Sequence, residues 1–164
     1  MDVFGSKKPD TNLTIRENAM TEELVQEARD RAGNYFRQGY NCAETLFLTF
    51  RQYLAPEVDE SMVRMATPFG GGLGHAGCIC GALSGAIMML GLKKGRTSPQ
   101  TPRDAAYDLS LEFQKRFMNE FGATCCRALN KHPFGTPEQG KSCLRIIGST
   151  AKILMAFIQE KGLV

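Results

Sequence analysis

An all-α fold is what this sequence predicts: a single-domain bundle of about five main helices, with a glycine-rich loop leading into a central apolar helix. Three observations carry it. Apolar residues recur every three or four positions along five stretches, and no stretch alternates as a half-buried strand would. Capping residues, prolines and glycines punctuate the ends of those stretches. The chain has 164 residues, 43% of them apolar and 23% charged. One domain is the natural expectation for about 100–200 residues. At this length roughly two-thirds of the unfolded surface can be buried without help from disulfides.

Residues 1–12 are polar and are expected to form a flexible tail, leaving 13–164 as the helical domain. The first helix is expected from near Thr21, with Glu22 and Glu23 favourably set against its dipole. Leu24, Ala28, Ala32, Tyr35 and Phe36 form its apolar stripe, and Gly39 ends it. The second begins at Asn41, a good N-cap with Glu44 three residues on. It carries Leu46, Phe47, Phe50 and Tyr53 and breaks at Ala55-Pro56. A short third helix is expected over 57–66, with Met62, Val63 and Met65 facing inward.

Nine of the 17 glycines fall between Gly70 and Gly95, so the backbone there is asked for unusual conformations or close approaches. Gly72 and Gly74 shape the loop. The helix that follows, about 79–92, is apolar all round, as befits a central element. In it Gly81 and Gly85, beside Ala82 and Ala86, leave shallow surfaces for neighbouring helices. Thr101-Pro102-Arg103-Asp104 reads as a start signal for a fifth helix. Its stripe of Ala105, Leu109, Phe113, Phe117 and Phe121 runs to Gly122. A short turn holds Cys125, Cys126 and Leu129, and residues 131–140 read as a loop. The last helix is expected over 142–161, with Leu144, Ile147, Ala151, Leu154 and Ile158 inward.

A net charge of +3 is weak for a nucleic-acid binder, and the tight group Lys93, Lys94 and Arg96 reads as a solvated turn, so no nucleic-acid partner is expected. The longest uncharged helical stretch, 78–92, falls short of the roughly 20 residues that span a bilayer. The first residues show neither an apolar run nor a small-residue cleavage site. A cytoplasmic location is therefore expected, where the six cysteines rest mostly as thiols.

The cysteines fall in a pattern. Cys42 follows the cap at Asn41, and Cys80 lies near the start of the glycine-led helix. Cys126 comes just after Thr124, and Cys143 after Ser142. Each is read as lying in the first turn of a helix, where unpaired N–H groups and the positive end of the dipole lower a thiol pKa. Free cysteine is also a common apolar filler, but filler would fall mid-helix as well. Thiolates at such places attack disulfides, reduce oxidants or bind soft metals.

These residues carry a family resemblance. Asn41-Cys42-Ala43-Glu44, then Gly70-Gly71-Gly72-Leu73-Gly74 leading into Cys80-Gly81-Ala82-Leu83-Ser84-Gly85, then Cys126-Arg127 and Cys143, resemble the C_GCAxxG_C_C family. That family is named for four cysteines and a glycine-rich motif and is described as redox-active. The resemblance runs from about Gly33 into the last helix and implies redox activity without naming a substrate. Cys78 and Cys125 are additions beside two of the family cysteines, so which of Cys78 and Cys80, and of Cys125 and Cys126, is the working thiol stays open. Pairing among Cys42, Cys80, Cys126 and Cys143 is favoured over a Cys78–Cys80 or a vicinal Cys125–Cys126 link, with three connectivities open.

Other motifs fail on context. Gly72-Leu73-Gly74-His75-Ala76-Gly77 matches the dinucleotide fingerprint, yet no strand precedes it and the next acidic residue is Asp104. His75 is a candidate base or hydrogen-bond donor to a thiolate, an exposed loop position being the simpler reading. His132 reads as a loop residue, Ser84 has no histidine partner, and Met88 and Met89 read as core. The leading expectation is thiol–disulfide chemistry, that of a thiol-dependent oxidoreductase. Cys80 and Cys42 rank first, completed by Cys126 and Cys143, with Cys78, Cys125 and His75 as accessories. It needs no cofactor and takes an unidentified redox partner. Zinc or an iron–sulfur cluster on the same four cysteines is the rival, although the spacings lack a Cys-x-x-Cys pair. A non-catalytic helical interaction module is the third reading.

Overall fold

In the computed structural model, which describes residues 11–164, five long helices pack around one apolar core and no strand occurs among the described residues. The first helix, α1, runs Thr11–Arg37. It starts ten residues before the expected Thr21, because periodicity detects only buried stripes and Asn18 to Glu23 are exposed. Part of the expected tail is thus helical, while its residues 1–10 lie outside the described residues. Ala28 and Ala32 are fully buried, and Leu24, Val25, Tyr35 and Phe36 pack beside them.

Helix α2, Cys42–Leu54, starts where the Asn41 cap predicts. The Asn41 side chain accepts from the N–H groups of Ala43 and Glu44 at 3.0 and 3.1 Å, and Glu44 accepts from the Asn41 N–H at 2.8 Å. Otherwise orphaned donors at the helix start are thereby satisfied reciprocally. The expected helix over 57–66 is a 3-10 helix, Glu60–Met65, capped by Asp59. Its Met65 points outward at 59% exposure, so only Met62 and Val63 of the expected trio pack inward.

A second 3-10 turn, Thr67–Phe69, leads into α3, Gly70–Leu73, a single turn whose Gly71 and Gly72 take positive φ. Helix α4, Gly81–Lys94, follows, and its Gly85 would place a Cβ 2.6 Å from the Ala43 carbonyl oxygen. That absent side chain lets α4 lie directly on the backbone of α2. Helix α4 is not wholly interior, since Ile87 and Met88 are half-buried and Leu92 is exposed. Helix α5, Asp104–Phe121, begins two or three residues after the expected Thr101-Pro102 signal, with no side chain capping it, and Gly122 ends it at φ 75°. Phe113 and Phe117 are its buried rings.

After the short α6, Cys126–Leu129, the last helix α7 spans Pro137–Glu160. It therefore opens inside the expected loop of 131–140. Thr136 caps it and Pro137 fits its first turn, where a missing N–H costs nothing. By length and composition α7 could cross a membrane, but half of its apolar window is buried within the bundle. Its Ile147, Ala151, Leu154, Met155, Phe157 and Ile158 are fully buried, as core positions of a helical bundle are.

Candidate functional site

Glycine builds the site before cysteine fills it. Between Gly71 and Gly77 six residues have positive φ: Gly71, Gly72, Leu73, Gly74, His75 and Gly77. The chain coils tightly here, held by Gly77 N–H to Gly71 O at 3.1 Å and Cys78 N–H to Gly72 O at 3.4 Å. Asn41 anchors the approach by donating from its side chain to Thr67 O at 3.0 Å. The Thr67 hydroxyl donates to the capping Glu44 at 2.6 Å. The loop thus sits over the first turn of α2. The dinucleotide-like glycine pattern serves this coil, and no strand leads into it among the described residues.

The segment 78–80 is then tied to the segment 124–127. Cys80 N–H donates to Thr124 O at 2.8 Å, Arg127 N–H donates to Gly77 O at 3.0 Å, and Cys78 and Cys125 form a disulfide. The Cys78–Ile79 peptide is cis. The two cysteines that the sequence adds beside family positions therefore pair with each other, a connectivity outside those expected from the sequence.

The remaining four are free thiols and come together. Cys42, Cys80, Cys126 and Cys143 all line one inner pocket, closed by Ala82, Leu129, Asn130, Ile146 and Ile147. Its free space is about 10 Å³, room for one water at most. Glycine again permits the approach: a Cβ on Gly81 would overlap the Cys42 sulfur, and one on Gly72 would lie 3.1 Å from Cys126 Cβ. Three of the four, Cys42, Cys126 and Cys143, also line an open cleft of about 480 Å³, whose rim includes Tyr40, His75, Phe134 and Gln139. Cys80 faces the inner pocket and not the cleft.

Helix starts account for three of these positions. Cys42 is the first residue of α2, Cys80 the cap residue of α4, and Cys126 the first residue of α6. Cys143 is a correction: because α7 begins at Pro137, it lies in the second turn and owes nothing to a helix end. The expected lowering of the thiol pKa is overturned as well. Burial pushes Cys80 up to about 12, with the neighbouring Cys42 adding to it. N–H groups of Ala82 and Leu83 oppose that rise without cancelling it. Burial likewise takes Cys126 up to about 11 and raises Cys42 and Cys143. Desolvation outweighs helix-end stabilisation because packing around the sulfurs removes much of their water, and most of them also crowd one another. At neutral pH all four rest protonated.

Two residues absent from the sequence reading attend Cys143. The side-chain amides of Gln139 and buried Asn130 approach its sulfur at 3.2 and 3.4 Å, and Asn130 also donates to Gln139 O at 3.0 Å. Both favour a thiolate there. Thr136-Pro137 followed by Gln139 is a capping signal that would have started α7 five residues earlier and set Gln139 one turn before Cys143. His75 stands at the rim, exposed, its ring stacked on Phe134 at 4.4 Å. None of the hydrogen bonds among the described residues joins it to a sulfur. Ser84 donates within its own helix, to Cys80 O and Gly81 O. No group of three or more His, Cys, Asp or Glu side chains among the described residues is arranged to hold a metal ion.

Comparison with known proteins places the sequence in a described family. The family model described as "Putative redox-active protein (C_GCAxxG_C_C)" matches residues 40–157, which include the four free cysteines and both glycine clusters. A relative from Archaeoglobus fulgidus, titled "Uncharacterized protein", is 25% identical over 148 residues, covering 85% of this chain and 98% of its own. No solved structure matches.

Proposed function

Starting from the fact that this chain belongs to the C_GCAxxG_C_C family, whose description is redox-active, we propose that it performs thiol–disulfide exchange at the four-cysteine cluster. One observation carries the reading: four free thiols from four separate segments line a single pocket, three of them also facing an open cleft. Filler cysteines have no reason to meet.

Cys143 is the attacking thiol in this reading. It is the least buried of the four, it faces the cleft, and amide groups of Asn130 and Gln139 stabilise its sulfur as charge develops. Cys143 gives up its proton and attacks one sulfur of a disulfide carried by the partner. The partner's S–S bond breaks, its departing sulfur takes a proton, and a mixed disulfide links the two molecules. Cys42 or Cys126 then attacks the Cys143 sulfur and releases the second partner thiol. Two electrons and two protons pass to the partner, and one S–S bond forms in this protein. Cys80 lies behind these three and supplies a further thiol to the inner pocket. The raised pKa values make the resting protein slow to react until a partner's contact or a rise in pH deprotonates the cleft thiol.

Counting titratable thiols in the folded protein before and after oxidised glutathione tests the proposal. A fall of two that dithiothreitol restores supports it. An unchanged count, or one glutathione retained per thiol lost, contradicts it.

A further inference from the structure

Away from the thiols, α1 and α7 run side by side and leave a groove of about 540 Å³ between them. Arg29 and Arg37 line it from α1, and Lys141, Arg145 and Lys152 line it from α7, with Asp30 the single carboxylate. Five positive side chains against one negative concentrate more charge here than the whole chain's net +3. Ion pairs elsewhere neutralise Arg31, Arg51, Arg116 and Lys161, whereas none of the five groove cations has a carboxylate partner among the described residues. Asp30 is itself engaged by Gln26 at 3.0 Å.

The shape is as telling as the charge. Gly33 and Gly148 lie in the lining, and a side chain on Gly148 would reach to 3.5 Å from Arg29. The two glycines open a concavity where larger residues would close the helix pair. On α1 the spacing of Arg29, Gly33 and Arg37 sets two guanidinium groups on one face, two turns apart. No aromatic residue lines the groove, so nothing there stacks on a base. Like charges held together without counter-charges raise the energy of the free protein and fall in energy when a multivalent anion enters. Guanidinium forks match phosphate oxygens in pairs.

We propose that this groove binds a diphosphate group, free or as part of a nucleotide, in a site separate from the thiol cluster. Isothermal titration calorimetry of the full-length protein with sodium pyrophosphate, ADP and adenosine at physiological salt tests it. Pyrophosphate and ADP bind with one site per chain and adenosine does not. Equal affinity of the two means the diphosphate alone is read, and tighter ADP means that a nucleotide is the natural source. The double variant Arg29→Gln/Arg145→Gln loses at least about tenfold in affinity for pyrophosphate, since hydrogen bonds from charged groups are the strong ones. Lys93→Gln/Lys94→Gln removes the same charge from the exposed C-terminal end of α4 and leaves affinity within about twofold. Circular dichroism confirms that each variant keeps its helices. No heat with pyrophosphate or ADP at millimolar concentration overturns the proposal, as does an equal loss in the two double variants.

Discussion

Glycine does opposite work at the two places where this fold comes closest to its sulfurs. Along the contact of α2 with α4, Gly81 and Gly85 sit in ordinary helix, and what matters is the side chain they lack. In the loop, Gly71, Gly72, Gly74 and Gly77 matter for the left-handed backbone they adopt. The first region is fixed by packing, so any added atom collides with backbone. The second is fixed by conformation and by its ties to the 124–127 segment. Both converge on the thiols: Gly81 on the Cys42 sulfur, Gly72 on the Cys126 Cβ.

The largest effect tests what ties the loop. Cys78→Ser/Cys125→Ser opens a link spanning 47 residues of sequence, and urea unfolding should show a loss of about 4 kcal/mol. The four inner thiols stay together only if the backbone hydrogen bonds from Cys80 to Thr124 and from Arg127 to Gly77 suffice. Next comes Gly85→Val, which drives a side chain into Ala43 backbone; about 3 kcal/mol of lost stability is expected by the same measurement, because the helices must separate. A loss under about 0.5 kcal/mol would show that α4 does not rest on α2 as described.

A smaller effect belongs to conformation alone. At Gly74, φ 59°, an added Cβ would find nothing within 4 Å, so Gly74→Ala meets strain and no collision. About 1 kcal/mol is expected, against the larger cost at Gly85. Smallest at neutral pH is the titration of the buried thiols. An unfolded thiol loses its proton near 9.0, whereas Cys80 holds it to about 12 and Cys126 to about 11. Their folded pKa values are raised, so their contribution to stability is full below pH 9 and is lost as pH climbs towards 11–12. Thermal melts should be flat in this respect up to about pH 9 and fall above it, less steeply in Cys80→Ala.

The same contrast between local and long-range causes governs what can be read from sequence. The helical frame is legible because burial leaves a periodic trace: the Asn41 box, the Phe113 and Phe117 stripe and the Leu154 and Ile158 stripe all stand where periodicity puts them. The four cysteines and the two glycine clusters are legible too. The Cys78–Cys125 link is not, because it depends on two segments far apart in sequence being brought side by side. The thiol pKa values go the other way from the sequence expectation because a helix start is a local feature, while desolvation depends on everything packed around the sulfur. Asn130 and Gln139 escape notice as long as the last helix is taken to start at Ser142 in place of Pro137.

Mass mapping of the oxidised protein reaches the central claim most directly. After treatment with oxidised glutathione and alkylation of the thiols that remain, peptides should reveal one new bond inside the set Cys42, Cys126 and Cys143, with Cys78 still joined to Cys125. Four inner cysteines recovered fully alkylated, and oxidation confined to the Cys78–Cys125 pair, would mean that these sulfurs meet in space without exchanging electrons.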